Sequence, residues 1–505
     1  MQQHDVVIVG AGLSGIGAAV HLETSCPGKQ YTILEARDAI GGTWDLFRYP
    51  GIRSDSDMHT LGYDFKPWRE AKAIADGPSI RRYVRETASE YGVDRHIQYG
   101  RRLKSAAWDT PTACWRLSVE NVTSGERETI TCNFLLMCSG YYSYQQAYVP
   151  EIEGLRDFAG TTVLPQFWPE DLDYGGKRVV VIGSGATAMT VVPSMADKAS
   201  HVTMVQRSPT YVVSRPDKDA IANFLRRILP EKLAYRMTRF KNTHMQRLIY
   251  NRSRVAPDRV RDTLLKEVRG HLGPHYDVDR HFTPRYNPWD QRLCLIPNGD
   301  LFDAINRGKV DVVTGEIERI TAGGVTMRDG TQVEADVLVL ATGLVMELLG
   351  GATFEVDGRQ VDFPNTVSYR AMMYADVPNM VQTFGYINAS WTLRADLTAD
   401  YVCRVLNHMD KLGVRQVTPR LRPEERNLPR RPWIEDFSAG YMRRVMHLFP
   451  KQLGVDPWRN TQNYALDRRA LRNDPLEDGA LIFGAGELAA AQDNLATESA
   501  AVSAG

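Results

Sequence analysis

Two glycine-rich loops carry the clearest chemical signal in the sequence, and each directly follows an apolar run that is typical of a buried parallel strand. The first loop has Gly10, Gly12 and Gly15 in the spacing G-x-G-x-x-G. In a strand–turn–helix unit these glycines permit a tight turn, let the backbone approach a pyrophosphate, and let the helix pack closely on the strand. The helix then directs the positive end of its dipole at the phosphates. The loop therefore predicts a dinucleotide site, with Ser14 among its contacts.

The residues that follow the first loop indicate which dinucleotide it holds. Glu35 ends the second strand, twenty residues after Gly15, where a carboxylate binds ribose hydroxyls and repels a 2′-phosphate. This excludes NADP and suits FAD or NAD. The run GGTWDLFRYPGIRSD over 41–55 is rich in glycine, aromatic and charged residues and favours FAD. Its predicted cofactor contacts are Gly42, Thr43 and Trp44, where Trp44 is either a wall beside the flavin or a core aromatic.

The second loop has the variant spacing G-x-G-x-x-A, and the next strand ends in a cation instead of an acid. Arg207 can pair with a 2′-phosphate and Ser208 can donate a hydrogen bond to it, so we predict NADPH here. The alternative is that Arg207 is a solvated surface cation. A third lookalike, Gly484 to Ala489, leaves only sixteen residues after it, too few for a strand–helix–strand unit. The predicted contacts of the second loop are Gly183, Ser184, Gly185, Ala186, Thr187 and Ala188.

These sites need two strand–helix–strand units, which we place at residues 5–35 and 178–207. Two more buried strands that end in a glycine turn are predicted over 133–140 and 336–343. The predicted fold class is α/β, with two Rossmann-like dinucleotide-binding domains, for FAD and NADPH, and a helical insertion. The predicted boundaries are 1–147 and 346–505 for the FAD domain, 148–213 and 289–345 for the NADPH domain, and 214–288 for the insertion.

The insertion has helical periodicity between 220 and 250, with many basic residues among apolar ones. One interpretation is an ordinary amphipathic surface or interface helix, and the other is a basic face that touches a membrane surface. The small, polar C-terminal tail over 489–505 is expected to be frayed. The basic residues are Arg226, Arg227, Lys232, Arg236, Arg239, Lys241 and Arg247.

Composition narrows the class of protein. Lys plus Arg and Asp plus Glu each number 61, so the neutral balance gives no support for a nucleic-acid partner. Six scattered cysteines without a CxxC pair favour reduced thiols in the cytoplasm and argue against a disulfide reductase. Eleven histidines show no metal-ligand spacing. With the first strand predicted from Asp5, we expect no secretory leader, and apolar runs are too short to span a bilayer.

The segment FAGTTVLPQFWPED over 158–171 resembles the Baeyer–Villiger monooxygenase fingerprint F-x-G-x-x-x-H-x-x-x-W-P, although Leu164 stands where the family has His. The matching residues are Phe158, Gly160, Trp168 and Pro169. The segments GAGLSGIGAA, GGTWDLFRYPGIRSDSDM, GSGATA, QRSP, NPWDQRLCLIPNGDLF, DVLVLATG and GYINASWTLRADLTADYVC also occur in the family's order. The chain thus resembles class B flavoprotein monooxygenases over nearly its full length, and within them the compact bacterial enzymes similar to ethionamide-activating monooxygenases.

The resemblance implies roles for four residues. Arg292, in NPWDQRL, matches an arginine that lies over the flavin and stabilises a peroxide anion and the tetrahedral adduct. Asp55 matches the aspartate that orients this arginine, and Trp391 matches a position near the nicotinamide and substrate. Gln291 stands where the family often has Lys, which leaves more of the 2′-phosphate contact to Arg207.

The implied reaction uses NADPH, FAD and O2 to form a C4a-(hydro)peroxyflavin, which converts apolar ketones to esters or lactones and sulfides to sulfoxides. The alternatives are a mainly heteroatom (sulfide) oxygenase with little ketone activity, or an uncoupled NADPH oxidase. The cofactor motifs are intact, so we expect cofactor binding to be intact. Leu164 cannot form the hydrogen bonds of the family's His, so we expect poorer coupling of NADPH use to product formation. We expect a monomer or small homo-oligomer. The predicted apolar pocket residues are Phe282, Trp289, Leu293, Met346 and Trp391.

Overall fold

The computed structural model describes residues 2–435 and 437–484, which are built around one mixed and one parallel sheet. The first sheet has nine strands, and its central part is parallel because the first strand lies between the second strand and the long strand Arg127–Met137. The lookalike loop beyond Gly484 and the C-terminal tail lie outside the described residues. The strands of this sheet are Arg359–Gln360, Thr353–Val356, Arg101–Asp109, Cys114–Asn121, Arg127–Met137, Gln2–Val9, Tyr31–Glu35, Ile97–Tyr99 and Met380–Gln382.

The long strand Arg127–Met137 pairs with different strands along its two halves. Its first half pairs antiparallel with Cys114–Asn121, and its last residues pair parallel with Met380–Gln382. The segment 133–140, predicted as a strand ending in a glycine turn, is the second half of this strand and the turn after it. Val6 and Val7 in the first strand, and Phe134 and Leu135 in the long strand, are all fully buried. Because consecutive side chains point to opposite faces, both faces of these strands are covered.

The second sheet has five strands that all run parallel, and it contains the second glycine loop. Its central strand Arg178–Ile182 pairs with the strand of the following unit on one side and with Val337–Leu340 on the other. A small antiparallel sheet is attached to it, formed by Ile317–Thr321, Gly324–Met327 and Gln332–Glu334. The strand order is Val310–Thr314, His201–Gln206, Arg178–Ile182, Val337–Leu340 and Thr161–Val163.

Two-stranded connections join the two sheets and their insertion. Tyr142–Ala147 and Leu344–Met346 form an antiparallel pair, and Val212–Arg215 pairs parallel with Cys294–Pro297 at the two ends of the insertion. Three more pairs lie in the C-terminal half. They are Ser368–Tyr369 with Met373–Tyr374, Val417–Pro419 with Leu481–Phe483, and Arg431–Pro432 with Lys451–Gln452.

The long helices pack on these sheets and on one another. Helix Leu13–Ser25 packs against helix Trp391–Leu412, and His21 lies between them, with Nδ1 3.0 Å from Asp400 and Nε2 3.5 Å from Asp396. The remaining helices are Thr43–Leu46, Met58–Leu61, Gly77–Glu90, Ala186–Met195, Ala220–Ile228, Glu231–Val255, Pro257–Leu272, Val278–His281, Asp300–Asn306, Gly440–Arg443 and Tyr464–Asn473.

The insertion is helical, as the sequence predicted, but its basic residues do not share one face. The stretch from 220 to 250 forms two helices because Pro230 interrupts it, and Glu231–Val255 continues past the predicted end. Arg239 is buried and donates to the carbonyls of His59 and Gly62, at 3.1 and 2.7 Å. It therefore anchors the helix to the FAD-side segment 57–64 and is not part of a basic surface.

The helices of the insertion contact both nucleotide-binding units. The Tyr235 hydroxyl donates to the carbonyl of Tyr63 at 2.9 Å, on the side of the first sheet. Helix Pro257–Leu272 instead packs against strand Val212–Arg215 and helix Asp300–Asn306, on the side of the second sheet. Among the helices of the described residues, none combines the length and the apolar composition needed to cross a membrane.

Candidate functional site

The first glycine loop has the close contacts that its spacing predicts. Gly10 adopts φ +105°, which a residue with a side chain rarely adopts, and a Cβ at Gly15 would lie 1.8 Å from the carbonyl oxygen of Gly10. Gly12 differs, since its added Cβ would meet only Gly42 Cα at an ordinary 3.5 Å. Gly15 is thus required by helix–strand packing, whereas the space beside Gly12 is open toward the cavity described below.

Glu35 lies at the base of this loop and faces its backbone. One carboxylate oxygen accepts from the Ala11 N–H at 2.7 Å, and the other accepts from the Arg37 N–H at 2.9 Å. Burial raises the pKa of Glu35, and these two hydrogen bonds offset part of the rise. Each oxygen keeps a second acceptor site, so the carboxylate can still accept from the two hydroxyls of a ribose.

The segment 41–55 closes over the first loop. Gly42 adopts φ +56°, and its added Cβ would approach Gly12 Cα at 3.0 Å, so the two backbones meet closely. The Thr43 hydroxyl hydrogen-bonds with the Tyr142 hydroxyl. Trp44 is half-buried: it packs on the main core and also lines the cavity, so the two interpretations of this tryptophan are compatible.

The second glycine loop repeats the geometry of the first. Gly183 adopts φ +135°, and its added Cβ would lie 2.2 Å from the Ala341 carbonyl oxygen, whereas a Cβ at Gly185 would meet nothing within 4 Å. Ala188, in the third glycine's place, is fully buried. The Ser184 hydroxyl donates to the Ser208 carbonyl at 3.0 Å and so ties the loop to the end of the next strand.

Arg207 and Ser208 are exposed beside this loop. Arg207 forms no ion pair within the described part of the chain, so its guanidinium is available to an incoming anion. The helix Ala186–Met195 begins directly after the second loop, and its first N–H groups have no partner within the helix and favour an anion. This arrangement suits the pyrophosphate and 2′-phosphate of NADPH.

One cavity of about 380 Å³ extends from the first loop to Ala186 and Thr187, at the start of the helix that follows the second loop, and we call it the catalytic cavity. The predicted site residues that do not line it are Gly15, Gly183, Ser184, Gly185, Ala188, Arg207 and Ser208. The predicted site residues that line it are Gly10, Gly12, Ser14, Glu35, Gly42, Thr43, Trp44, Asp55, Ala186, Thr187, Arg292 and Trp391.

Arg292 and Asp55 face each other in the wall of this cavity. Arg292 Nε lies 3.3 Å from Asp55 Oδ2, and both side chains are about one third exposed. The Asp55 carboxylate raises the pKa of Arg292, and burial opposes that rise. The guanidinium is therefore a positive charge that Asp55 holds in the wall of a partly dehydrated cavity.

Trp391 is held by contacts from the first loop and the aromatic wall. Its indole Nε1 donates to the Ser14 hydroxyl at 2.8 Å. Its ring stacks on Tyr141, with centroids 5.1 Å apart and planes 20° apart, and lies 5.4 Å from the ring of Phe384. The tryptophan is thus fixed in orientation on the flavin side of the cavity.

Only Trp391 among the five predicted pocket residues lines the catalytic cavity. Phe282 is buried in the core of the second sheet, and Met346 packs in the connection between the sheets. Sequence reasoning missed an aromatic wall, although the run YYSY directly after the turn at Gly140 was an available signal. The missed aromatic residues that line the cavity are Phe47, Tyr49, Tyr141, Tyr142, Tyr144, Phe384, Tyr386 and Tyr441.

Leu164 lies in the connection between the two nucleotide units. It follows the edge strand Thr161–Val163 and lines a small cavity with Ala147, Tyr148 and Gly343. Leu164 packs against apolar core residues and makes the interior of this connection more apolar. Phe167, three residues later, is 45% exposed and does not.

The chain matches the family described as flavin-binding monooxygenase-like over residues 3–417. It is 52% identical over 485 residues to the FAD-containing monooxygenase EthA of Mycobacterium tuberculosis. The alignment covers 96% of this chain and 98% of that relative. It is 50% identical, also over 485 residues, to EthA of Mycolicibacterium smegmatis, with the same coverage of each chain.

Solved structures establish the fold independently of these relatives. An oxidized steroid monooxygenase bound to NADP aligns with a TM-score of 0.75 at 21% identity, over 96% of this chain and 100% of that one. A closed cyclohexanone monooxygenase aligns with a TM-score of 0.68 at 22% identity, over 84% and 87%. The predicted α/β fold class and the predicted family resemblance are both confirmed. The matches over most of its length show that this chain belongs to the flavin-binding monooxygenase-like family.

Proposed function

We propose that this chain is a monooxygenase that binds FAD at the first loop and NADPH at the second and oxygenates apolar ketones and organic sulfides with O2. The observation that carries the proposal is the Arg292–Asp55 pair in the wall of a cavity that extends from the first loop to the start of the helix after the second loop. Family membership supports the flavin and the oxygenase chemistry, and the EthA relatives are named as FAD-containing monooxygenases.

The residues of the first loop fit FAD. The open space at Gly12 and the start of helix Leu13–Ser25 suit a pyrophosphate, and Glu35 suits the adenosine ribose. Gly42, Thr43 and Trp44 continue the same wall toward Arg292. When bound, the flavin accepts hydride from NADPH and activates O2, which no side chain of the protein can do.

The residues of the second loop fit NADPH better than NADH. The space beside Gly185 is open, and Arg207 has no competing partner among the described residues. A guanidinium binds a phosphate through two parallel N–H···O hydrogen bonds, whereas NADH offers only a ribose hydroxyl at that point. Gln291 supplies no second cation, so Arg207 carries most of the discrimination.

Arg292 holds positive charge where a substrate carbonyl gains negative charge on its oxygen. Asp55 holds the guanidinium in the cavity wall through its contact with Nε. Such a fixed charge lowers the barrier because it does not have to reorient as the reaction proceeds. The aromatic wall around Tyr141 and Trp391 excludes water and favours apolar substrates.

A second candidate function is sulfide oxygenation with little ketone activity, together with loss of reducing equivalents as H2O2. Leu164 favours it, since this residue lies in the connection between the two nucleotide units and cannot form a hydrogen bond there. A sulfide reacts as the nucleophile through its sulfur lone pair, whereas a ketone is attacked at its carbonyl carbon and gains negative charge on oxygen. Sulfoxidation therefore has less need of the positive charge of Arg292.

The deciding experiment follows NADPH oxidation by the purified protein with a phenyl ketone and with an aryl methyl sulfide, and quantifies ester, sulfoxide and H2O2. We expect a yellow protein that forms both products, and Arg292→Ala should lower ester formation by about 10²–10³-fold. Arg285→Ala is the control, because Arg285 is exposed and does not line the catalytic cavity.

The other outcomes are equally informative. Sulfoxide without ester assigns the second candidate function, and H2O2 as the sole product with both substrates assigns an uncoupled oxidase. A protein that remains colourless after incubation with FAD overturns the proposal altogether.

We also propose that the insertion touches an anionic membrane surface, as one of the two sequence interpretations has it. Its first two helices expose apolar side chains, including Phe224 at 58% and Phe240 at 60% exposure. Exposed cations lie among them, so the surface combines an apolar stripe with positive charge. The other exposed apolar residues are Ile221, Ile228, Leu233 and Met237, and the cations are Arg227, Lys232 and Arg236.

Co-sedimentation with vesicles tests this contact. The protein should bind vesicles rich in phosphatidylglycerol but not pure phosphatidylcholine, and Phe224→Ser/Phe240→Ser should abolish the binding. Val122→Ser/Leu412→Ser, which removes apolar side chains of 42 and 45% exposure elsewhere, is the control. Unchanged binding by the phenylalanine variant, or self-association in place of vesicle binding, would overturn the proposal.

A further inference from the structure

A second cavity, of about 440 Å³, lies between helix Glu231–Val255 of the insertion and helix Tyr464–Asn473, and we call it the arginine cavity. Its lining is cationic: Arg247 comes from the first helix, Arg468, Arg469 and Arg472 come from the second, and His244 lies beside them. None of its lining residues, all within the described part of the chain, is Asp or Glu. An anion that enters this cavity meets no acidic side chain in its wall.

Most of this positive charge lacks an internal counter-ion. Arg472 is paired, since its guanidinium lies 2.9 Å from Asp400 and 3.3 Å from Asp64. Arg247, Arg468 and Arg469 form no ion pair with any described residue. Three guanidinium groups therefore face a concave site uncompensated.

The adjacent acid is not available to neutralise them. Asp467 directly precedes the two arginines, but its carboxylate is buried in the other direction. There it is 2.6 Å from Arg394 Nη1 and accepts from the Tyr386 hydroxyl at 2.7 Å. Its charge is already balanced on the far side of the helix.

The helix start adds charge of the same sign. Asn463 caps helix Tyr464–Asn473 by accepting from the N–H groups of Ala465 and Leu466, at 3.0 and 3.3 Å. Asn463 and Ala465 both line the arginine cavity, so the positive end of the helix dipole lies at its wall.

A short segment of chain separates the arginine cavity from the catalytic cavity. Ala389 lines both, while Ser390 and Trp391 line only the catalytic cavity and Asn388 and Leu393 line only the arginine cavity. The smallest side chain of the partition is therefore the shared one. The two cavities therefore adjoin at Ala389, on either side of one short segment.

We infer that the arginine cavity binds the carboxylate of an amphiphilic substrate, a chain carboxylic acid whose ketone or thioether group reaches the catalytic cavity. The identity of the reacting group rests on the proposed function, whereas the anion site rests on the arginines alone. The forked guanidiniums of Arg468 and Arg469 match the two oxygens of a carboxylate, and the long apolar chain matches the aromatic wall of the catalytic cavity. The site thus selects acids over neutral ketones of equal length.

The first test measures binding to the flavin-loaded enzyme by titration calorimetry, with dodecanoate as the probe and 1-dodecanol as its neutral counterpart. Arg468→Gln/Arg469→Gln should weaken dodecanoate binding by about tenfold or more and leave dodecanol binding unchanged. The parent's affinity for dodecanoate should also fall as salt is added. Arg85→Gln/Arg116→Gln removes the same charge from exposed arginines that line neither cavity and should change nothing. Equal dodecanoate affinity in parent and Arg468/Arg469 variant would overturn the inference.

The second test compares 10-oxododecanoate with its methyl ester as substrates. In the Arg468→Gln/Arg469→Gln enzyme, KM for the acid should rise about tenfold, kcat should stay within about twofold, and the ester should be unaffected. If the parent oxygenates neither compound while dodecanoate binding still depends on the two arginines, the proposed reaction fails and the anion site stands. If the parent oxygenates both and the variant treats the acid as the parent does, the inference fails and the proposed reaction stands.

Discussion

Three glycine-to-alanine substitutions separate what the two loops contribute to folding from what they contribute to cofactor binding. At Gly15 the new Cβ would lie 1.8 Å from the Gly10 carbonyl oxygen, far inside a normal contact, so helix Leu13–Ser25 must move away from the first strand by more than an ångström. Forced overpacking of this kind costs about 3 kcal/mol or more. At Gly12 and Gly185 the new Cβ meets nothing closer than 3.5 Å, and φ is near −80° at both positions, which alanine adopts readily.

Thermal unfolding at one scan rate, flavin content and steady-state kinetics together measure the difference. Gly15→Ala should unfold roughly 5 °C or more below the parent. Gly12→Ala should keep the parent's secondary structure by circular dichroism and lose bound flavin, because its methyl group fills the space that a pyrophosphate needs. Gly185→Ala should keep both its flavin and its unfolding temperature and show a raised KM for NADPH.

Either of two results would refute the reasoning. If Gly185→Ala and Gly15→Ala lower the unfolding temperature equally, the open space beside Gly185 has no relation to a cofactor. If Gly12→Ala retains full flavin with unchanged affinity, the space beside Gly12 has no relation to a pyrophosphate.

Arg207→Gln should raise KM for NADPH by about 10–100-fold and leave KM for NADH unchanged in steady-state assays, because only NADPH offers a 2′-phosphate; an equal rise for both would contradict the assignment. For His21, burial acts to lower the pKa, but the carboxylates of Asp396 and Asp400, 3.5 and 3.0 Å from its ring nitrogens, outweigh burial and raise the pKa from 6.5 to about 9. Its stabilisation, on the order of 3 kcal/mol, is therefore complete below pH 6.5 and lost as the pH rises through about 9, so urea unfolding of His21→Gln should vary less over this range than that of the parent. Leu164→His should lower the ratio of H2O2 formed to NADPH consumed, and an unchanged ratio would separate this position from coupling.

The sequence allowed prediction of those features that depend on local pattern. Gly10, Gly15 and Gly183 are placed by strand–turn–helix geometry within thirty residues, so their spacing alone predicts the turn and the close packing. The first strand and the second half of Arg127–Met137 were likewise predicted from continuous apolar runs, whereas the pairing between them was not predicted.

Features set by contacts between distant segments could not be predicted in the same way. Helical periodicity showed that Arg239 lies on a helix, but not that its side chain enters the core to reach carbonyls 180 residues earlier in the chain. The pocket residues were chosen by apolar character near Arg292, and Phe282 instead fills the core of the second sheet, since apolar character alone does not distinguish a cavity wall from a core. The arginine cavity unites segments more than 200 residues apart in sequence, and no local pattern points to it.

The position of the insertion has a consequence for protein recombination. By sequence it interrupts the NADPH-side segment, yet Tyr235 and Arg239 bind the backbone of His59, Gly62 and Tyr63 on the FAD side. In a chimera that exchanges residues 214–288 alone, a foreign helix would lie against those carbonyls. The carbonyl oxygens would then lose their hydrogen-bond donors. Inheritance of the insertion is therefore linked to inheritance of segment 57–64, and libraries built by domain shuffling should keep the two from the same parent.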